Sequence, residues 1–220
     1  LSDLLKAGFP IRDYTQVYEE ITHRIPVQNV DKDFYKYFPF SRSNQNKFYI
    51  FIFRIIDIIV SIFGIIFGVF FIPIVVIGNL VANRGKLFYF QERVGKYGEI
   101  FKIVKLRPMI KDAESEGPQF AQKDDFRVTR FGRFLRRSRI DEIPQFYNVL
   151  MGDMSLIGPR PERPVFVKEL SEMIPFYDTR HVVKPGLTGW AQVMANYGDS
   201  FDDSLEKLQY DLYYKSSTLF

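Results

Sequence analysis

Two adjacent carboxylates, Asp141 and Glu142, stand in a stretch that also carries four arginines, Arg133, Arg136, Arg137 and Arg139. A turn-rich basic loop, Gly158-Pro-Arg-Pro-Glu-Arg-Pro164, follows and adds Arg160 and Arg163. Cations gathered this densely suit a polyanion such as a diphosphate, because guanidinium groups pair strongly with phosphate oxygens. Carboxylates set among them suit a metal ion or a nucleophile. The same spacing has a plainer reading. Ser138 and Asp141 fit the S/T-x-x-D/E start of a helix, and Pro144 is tolerated in a first turn. On spacing alone, a capped helix with solvated charges explains the stretch as well as a site does.

Composition narrows the field before any element is placed. The chain has 220 residues and no cysteine, which excludes disulfides and thiolate metal sites. Its 30 basic and 26 acidic residues leave a net charge of +4, too mild to point to a nucleic acid, and no nucleic-acid motif accompanies the arginines. Aromatics make up 17%, a composition that favours a membrane interface.

The elements that must position the charged stretch follow from patterning. No charged residue occurs from Ile58 to Asn83. A bilayer needs about 20 apolar residues for a span, so length permits one. Pro73 inside the run predicts a break or kink. Arg42, Lys47 and Arg54 precede the run, and Arg84 and Lys86 follow it, so the charge asymmetry of a simple span is missing. A helix that enters, bends at Pro73 and leaves on the same side keeps both basic flanks in the cytoplasm. A plain transmembrane helix with a proline kink is the other reading. Arg54 and Asp57, three apart, are placed to pair at the interface. Leu87–Phe90 and Ile100–Val104 flank a Gly-containing turn and predict a β-hairpin. Phe131, Phe134 and Leu135 have helical spacing, with arginines on the other faces, a pattern suited to an anionic membrane surface. Residues 165–182 read as helix then loop, and the lone His181 there reads as structural. Lys184 to Trp190 reads as a rigid turn presenting the single tryptophan.

Residues Leu135 to Pro161 closely resemble the core of the bacterial sugar transferases, the monotopic polyprenyl-phosphate phosphoglycosyl transferases. The resemblance extends through Gln91-Glu-Arg-Val-Gly95, through Lys184-Pro-Gly-Leu-Thr-Gly-Trp-Ala-Gln192 and on to Tyr210-Asp-Leu-Tyr-Tyr214. It covers roughly residues 47–220. Lys86 and Pro108 depart from the family pattern, as does Phe126 within Asp125-Phe-Arg-Val-Thr-Arg130. These departures lie away from the dyad.

The resemblance implies transfer of a hexose-1-phosphate from a UDP-sugar to polyprenyl (undecaprenyl) phosphate, with release of UMP, at the start of glycan assembly. It implies Asp141 as nucleophile and Glu142 as its partner. Arg137, Arg160, Lys105, Arg107, Arg127 and Gln192 are the expected substrate or phosphate contacts. Mg2+ is the expected ion, on Asp141, Glu142 and Asp112. Expected partners are the UDP-sugar, polyprenyl phosphate and membrane lipids, with a second copy of the chain left open and nucleic acid excluded. The expected location is the plasma membrane, with the catalytic domain on the cytoplasmic face. The fold class expected is membrane-associated α/β (α+β): a re-entrant helix broken at Pro73, a β-hairpin and several amphipathic helices around a catalytic domain. Residues 1–46 are read as an N-terminal remnant and linker, 47–83 as the anchor and 84–220 as the catalytic domain. Glucose and galactose are the family-level sugars, and N-acetylated sugars remain open. The resemblance implies that a further domain precedes the chain and further helix follows it. A module that docks anionic lipids or assembles a complex without chemistry is the competing reading.

Overall fold

The charge-free run folds as one long helix. In the computed structural model, which describes residues 12–29, 47–83, 85–110, 125–195 and 200–217 with the single residues 6, 113 and 117, helix α2 spans Lys47–Gly78 and passes into a π-helical turn, Asn79–Asn83. The whole stretch of 37 residues is long and apolar enough to cross a membrane. A short helix, α1 (Tyr14–Thr22), precedes it, started by the Asp13 side chain that accepts from Thr15 N. The expected break at Pro73 is absent: helical structure continues through that residue to Gly78. A proline removes one N–H donor, and in apolar surroundings the helix keeps its remaining backbone bonds because no water would replace them.

One face of α2 differs from the rest. Asp57, Ser61, Val75, Asn79 and Asn83 are buried, at helical spacing, whereas Phe63, Phe67, Phe70, Ile74 and Ile77 are exposed. Glycines sit on the covered face. A Cβ at Gly64 would lie 2.5 Å from the Phe146 ring, one at Gly68 2.6 Å from Ile143, and one at Gly78 2.2 Å from Phe131. Small residues on an apolar helix let neighbouring side chains approach the backbone. Arg54 and Asp57 do not pair with each other as expected. Arg54 donates to Val149 O at 2.6 Å and Leu150 O at 2.7 Å, while Asp57 accepts from Ser155 Oγ at 2.9 Å and Leu156 N at 3.0 Å. Carbonyls at a helix C-terminus and a free backbone N–H outcompete a pairing in which both groups would stay solvated.

The predicted hairpin is present as β1 (Phe88–Val94) and β2 (Ile100–Leu106), antiparallel from Phe88↔Leu106 to Val94↔Ile100. Next come α3 (Arg130–Ser138), capped by Thr129 Oγ1 accepting from Gly132 N at 2.8 Å, and α4 (Gln145–Met151). Strand β3 (Ser155–Ile157) runs parallel to β4 (Gly186–Thr188), with α5 (Pro164–Met173) and the 3-10 stretch Tyr177–Val182 between them. Helices α6 (Trp190–Met194) and α7 (Phe201–Ser217) close the described chain.

Three apolar clusters hold these pieces. Val75 of α2 packs with Leu106, Leu135 and Ile140 beneath the carboxylate stretch. Ile103, Val149 and Met154 join the hairpin to α4. The largest gathers Val94, Val167, Leu170, Ile174, Tyr177, Leu205, Leu208 and Leu212 around Ile25 and Val27. Part of the N-terminal segment thus belongs to the core, while the expected linker at 41–46 lies outside the described residues. Ile25 and Val27 are 4% and 2% exposed, and Arg24 pairs with Glu206 at 2.6 Å. Two isolated aliphatics carry no periodic signal, which hid this strap in the sequence.

Candidate active site

Asp141 and Glu142 lie in a single 3-10 turn, Ile140–Glu142, between α3 and α4. Ser138 does not cap the following helix. Its hydroxyl donates to Phe134 O at 2.9 Å and Leu135 O at 3.1 Å, so it ends α3. The chain then reverses through Arg139, which adopts the left-handed conformation (φ 59°, ψ 14°). A non-glycine residue held there costs of order 1–3 kcal/mol and persists only where its surroundings over-determine it. The apolar neighbours Ile140 and Ile143 face α2, which fixes the turn's orientation.

Three cations converge on Glu142. Lys105 Nζ, from β2, and Arg160 Nη2 both lie 3.4 Å from Oε1, and Arg139 Nη1 lies 3.6 Å from Oε2. Arg160 also donates to Gln192 Oε1 at 3.5 Å. Burial alone would raise the Glu142 carboxyl, but Lys105, Arg160 and Arg139 outweigh it and hold it below the usual glutamate value. Asp141 moves the other way: burial, then the charge of Glu142, pushes its carboxyl up against Lys105 and Arg136. Lys105 is brought down to about 8, chiefly by burial and then by Arg160. Adjacent carboxyls with opposed shifts are a pattern of paired acid and base or nucleophile roles. Asp141 is 6% exposed, and its Oδ1 is buried without a hydrogen-bond partner among the described residues.

Close backbone packing brings Arg160 and Gln192 together. Gly158 N donates to Thr188 O at 2.9 Å and Gly186 N to Pro159 O at 2.8 Å. A Cβ at Gly186 would fall 2.1 Å from Gly158 N, so only glycine allows the two loops to touch there. Gln192, which contacts Arg160, has Nε2 buried without a partner among the described residues, and so does Trp190 Nε1 two residues earlier.

Other expected contacts lie elsewhere. Arg127 makes a two-point ion pair with Asp125 (2.8 and 2.6 Å) and reaches Ala113 O at 3.3 Å. The Arg107 carbonyl accepts from Asn83 Nδ2 at 2.8 Å, at the exit of the long helix. Arg137 points outward, whereas the half-buried Arg136 acts electrostatically on both Asp141 and Asp125. Asp112 lies outside the described residues, and among those described no cluster of three or more metal-ligating side chains exists. Asn148 carried no functional signal. It pins α4 to β2, accepting from Val104 N at 3.0 Å and donating to Lys102 O at 2.8 Å.

This arrangement is a cation-rich cluster built on a buried carboxylate pair, and its sequence matches a known family model. Residues 48–220 match the model described as bacterial sugar transferase, and the chain belongs to that family. The chain is 40% identical over 209 residues to a UDP-N-acetylgalactosamine-undecaprenyl-phosphate N-acetylgalactosaminephosphotransferase of Aeromonas hydrophila, covering 94% of this chain and 48% of the relative. It is 42% identical over 143 residues to a UDP-glucose:undecaprenyl-phosphate glucose-1-phosphate transferase of Xanthomonas campestris, covering 64% of this chain and 30% of that one. A corresponding Escherichia coli glucose-1-phosphate transferase is 40% identical over 129 residues, covering 59% and 27%. The chain thus spans about half the length, or less, of these relatives.

Proposed function

We propose that the chain transfers a hexose-1-phosphate from a UDP-sugar to polyprenyl phosphate on the cytoplasmic face of the plasma membrane, the initiating step of a surface-glycan pathway. The observation that carries this reading is the convergence of Lys105, Arg139 and Arg160 on Glu142 beside the buried Asp141. Three cations against two carboxylates leave positive charge for a diphosphate, and phosphoryl transfer is catalysed mainly by positioning and charge neutralisation. An Asp141 carboxylate oxygen attacks the sugar-bearing phosphorus. The bond from that phosphorus to the bridging oxygen breaks, and UMP leaves. A phosphate oxygen of the lipid then attacks the same phosphorus, releasing Asp141. Lys105 and Arg160 screen the charge on both legs, and Glu142 holds them in place.

The partnerless Asp141 Oδ1 fits a hard cation such as Mg2+, with Glu142 the second carboxylate at hand. When bound, Mg2+ would supply charge neutralisation at the diphosphate. The buried donors of Trp190 and Gln192 suit acceptor atoms of the donor nucleotide or sugar. Membrane lipids would meet the exposed apolar face of α2. Arg54 reaches Val149 and Leu150 near one end of that helix, and Asn83 reaches Arg107 at the other. The same domain also meets the helix between those ends, at Gly64, Gly68 and Gly78, which supports a helix that stays with the domain on one side of the membrane.

The test is UMP release in detergent from UDP-N-acetylgalactosamine, UDP-glucose and UDP-galactose with polyprenyl phosphate, together with intact-mass measurement. UMP release with a phosphosugar adduct on Asp141 is expected for at least one donor. Lipid binding without turnover of any donor would replace this reading with a non-catalytic module.

A further inference from the structure

Arg160 reaches the dyad from a loop that contains Pro159 and Pro161, belongs to no strand or helix, and ends where Pro164 begins α5. Proline gives the backbone no N–H, so this loop cannot close a ladder of its own, and its carbonyls need outside donors. Buried guanidinium groups supply two. Arg180 Nη2 donates to the Arg160 carbonyl at 3.2 Å, and Arg93 Nη1 donates to the next carbonyl, Pro161, at 3.0 Å. Arg180 is itself fixed: its Nη1 donates to Tyr177 Oη at 2.5 Å, and it forms an ion pair with Asp211 of α7 at 2.7 Å. The side chains of Arg180 and Asp211 are only 5% and 2% exposed. Arg93 is held from the other side by Gln91 Oε1 at 2.5 Å and Glu162 at 3.6 Å.

Burying such charges is a poor way to gain stability, since apolar residues of similar volume often do as well. A guanidinium adds a rigid fork of donors that can fix one group relative to several others. We propose that Arg93 and Arg180 are positioning residues: they grip consecutive carbonyls of the loop and so aim the Arg160 guanidinium at Glu142 and the donor phosphate. Neither makes a described contact with the dyad carboxylates; both act through Arg160. The geometry explains why the pair comes from opposite sides, one from the hairpin and one from the segment packed on α7. A catalytic group must be held to about 0.5 Å, and a single grip would leave the loop free to pivot. The proposal rests on the phosphoglycosyl transfer reading for its catalytic part.

A double-mutant cycle tests it. Tyr177→Phe removes one hydroxyl contact to Arg180 and keeps the buried ion pair, and Arg93→Lys removes the fork but keeps the charge. Each is made alone and with Arg160→Lys. Each single change should lower kcat/KM by about three- to tenfold in the parent and by less than about twofold once Arg160 is lysine, because contacting residues couple while independent ones add. A merely structural role gives equal losses in both backgrounds, and that result would overturn the proposal. Hydrogen exchange supplies a readout independent of turnover. Amides within residues 158–163 should exchange faster in both single variants, while those of α7 stay unchanged. Unchanged exchange in the loop would also overturn the proposal. A parent chain without turnover on any donor would instead refute the transfer reading, with the exchange arm still deciding whether the grip exists.

Discussion

The turn that carries Asp141 and Glu142 and the loop that carries Arg160 meet at one carboxylate, yet they are fastened to different parts of the molecule. The turn is seated on the long apolar helix: Ile143 and Phe146 fill the space left by Gly68 and Gly64, and Ile140 packs with Val75. Its conformation includes a left-handed residue, Arg139. The loop is held by hydrogen bonds to its carbonyls and backed by the cluster that Ile25 and Val27 share with Leu170, Leu208 and Leu212. Apolar contact orders the first, and polar contact backed by a distant core orders the second. They meet through a charge contact of 3.4 Å. Such a contact is easily re-made around a ligand, whereas interdigitated side chains are not. The place of Asp141 is thereby tied to the long apolar helix and that of Arg160 to the core around α7.

The comparison can be broken most severely at Asp141, the proposed nucleophile. Asp141→Asn keeps shape and removes the attacking charge, so UMP release should fall by about 10³-fold or more, in the range seen when other covalent nucleophiles are removed. Thermal unfolding should not suffer, because a buried carboxyl with a raised pKa gives up a desolvated charge. Near-parental turnover would remove Asp141 from its role.

Ile25→Ala attacks the other side. Truncating a 4%-exposed isoleucine should cost about 2–5 kcal/mol in denaturant titrations, with little change in turnover of the fraction that stays folded. A loss below 1 kcal/mol would mean that the strap is peripheral. Gly78→Leu, against Phe131, should cost about 1–3 kcal/mol by overpacking, and should depress turnover more than Ile25→Ala because α3 leads directly into the dyad turn. Equal effects of the two on activity would erase the distinction drawn between the sides.

Arg160→Lys retains charge and loses the planar fork, so kcat/KM should drop about tenfold, a change of about 1.4 kcal/mol. Unchanged kinetics would make Arg160 a surface charge.

The smallest effect concerns pH. Burial, then the charge of Arg180, lowers His181 to about 3. The unfolded chain takes up a proton near pH 6.5 while the folded chain does not, so the stability from a neutral His181 is complete above 6.5 and is lost as pH falls toward 3. The slope is at most about 1.4 kcal/mol per pH unit. His181→Gln should flatten the difference in stability between about pH 7.5 and 5.5, read against the parent so that carboxylate titrations cancel. An identical slope in the two proteins would place the histidine in water.

Much of this architecture was legible in the sequence because it is local. The charge-free run, the hairpin and the adjacent dyad each depend on neighbours within a few positions. The partners of Arg54 and Asp57 lie almost a hundred residues away, and spacing three apart suggested only that they pair with each other. Arg127 looked like a substrate arginine by motif, yet Asp125, two residues earlier, takes its guanidinium. The choice between Arg136 and Arg137 turns on helix phase, where one residue is a rotation of about 100°. Phase could be fixed only once Leu135 and Ile140 were known to face Val75. Asn148 and the strap at Ile25 were silent, since a single inward residue makes no pattern.

The glycine-lined face of the long helix bears on how the protein could be handled in water. Excising residues 47–83 to obtain a soluble enzyme would not merely remove a tail. It would strip cover from Phe131, Ile143 and Phe146, take Arg54 from the carbonyls of Val149 and Leu150, and leave Ser155 and Leu156 without Asp57. A soluble version has to keep that face and recolour the opposite one, replacing Phe63, Phe67, Phe70, Ile74 and Ile77 with polar residues while sparing Asp57, Gly64, Gly68, Gly78 and Asn83.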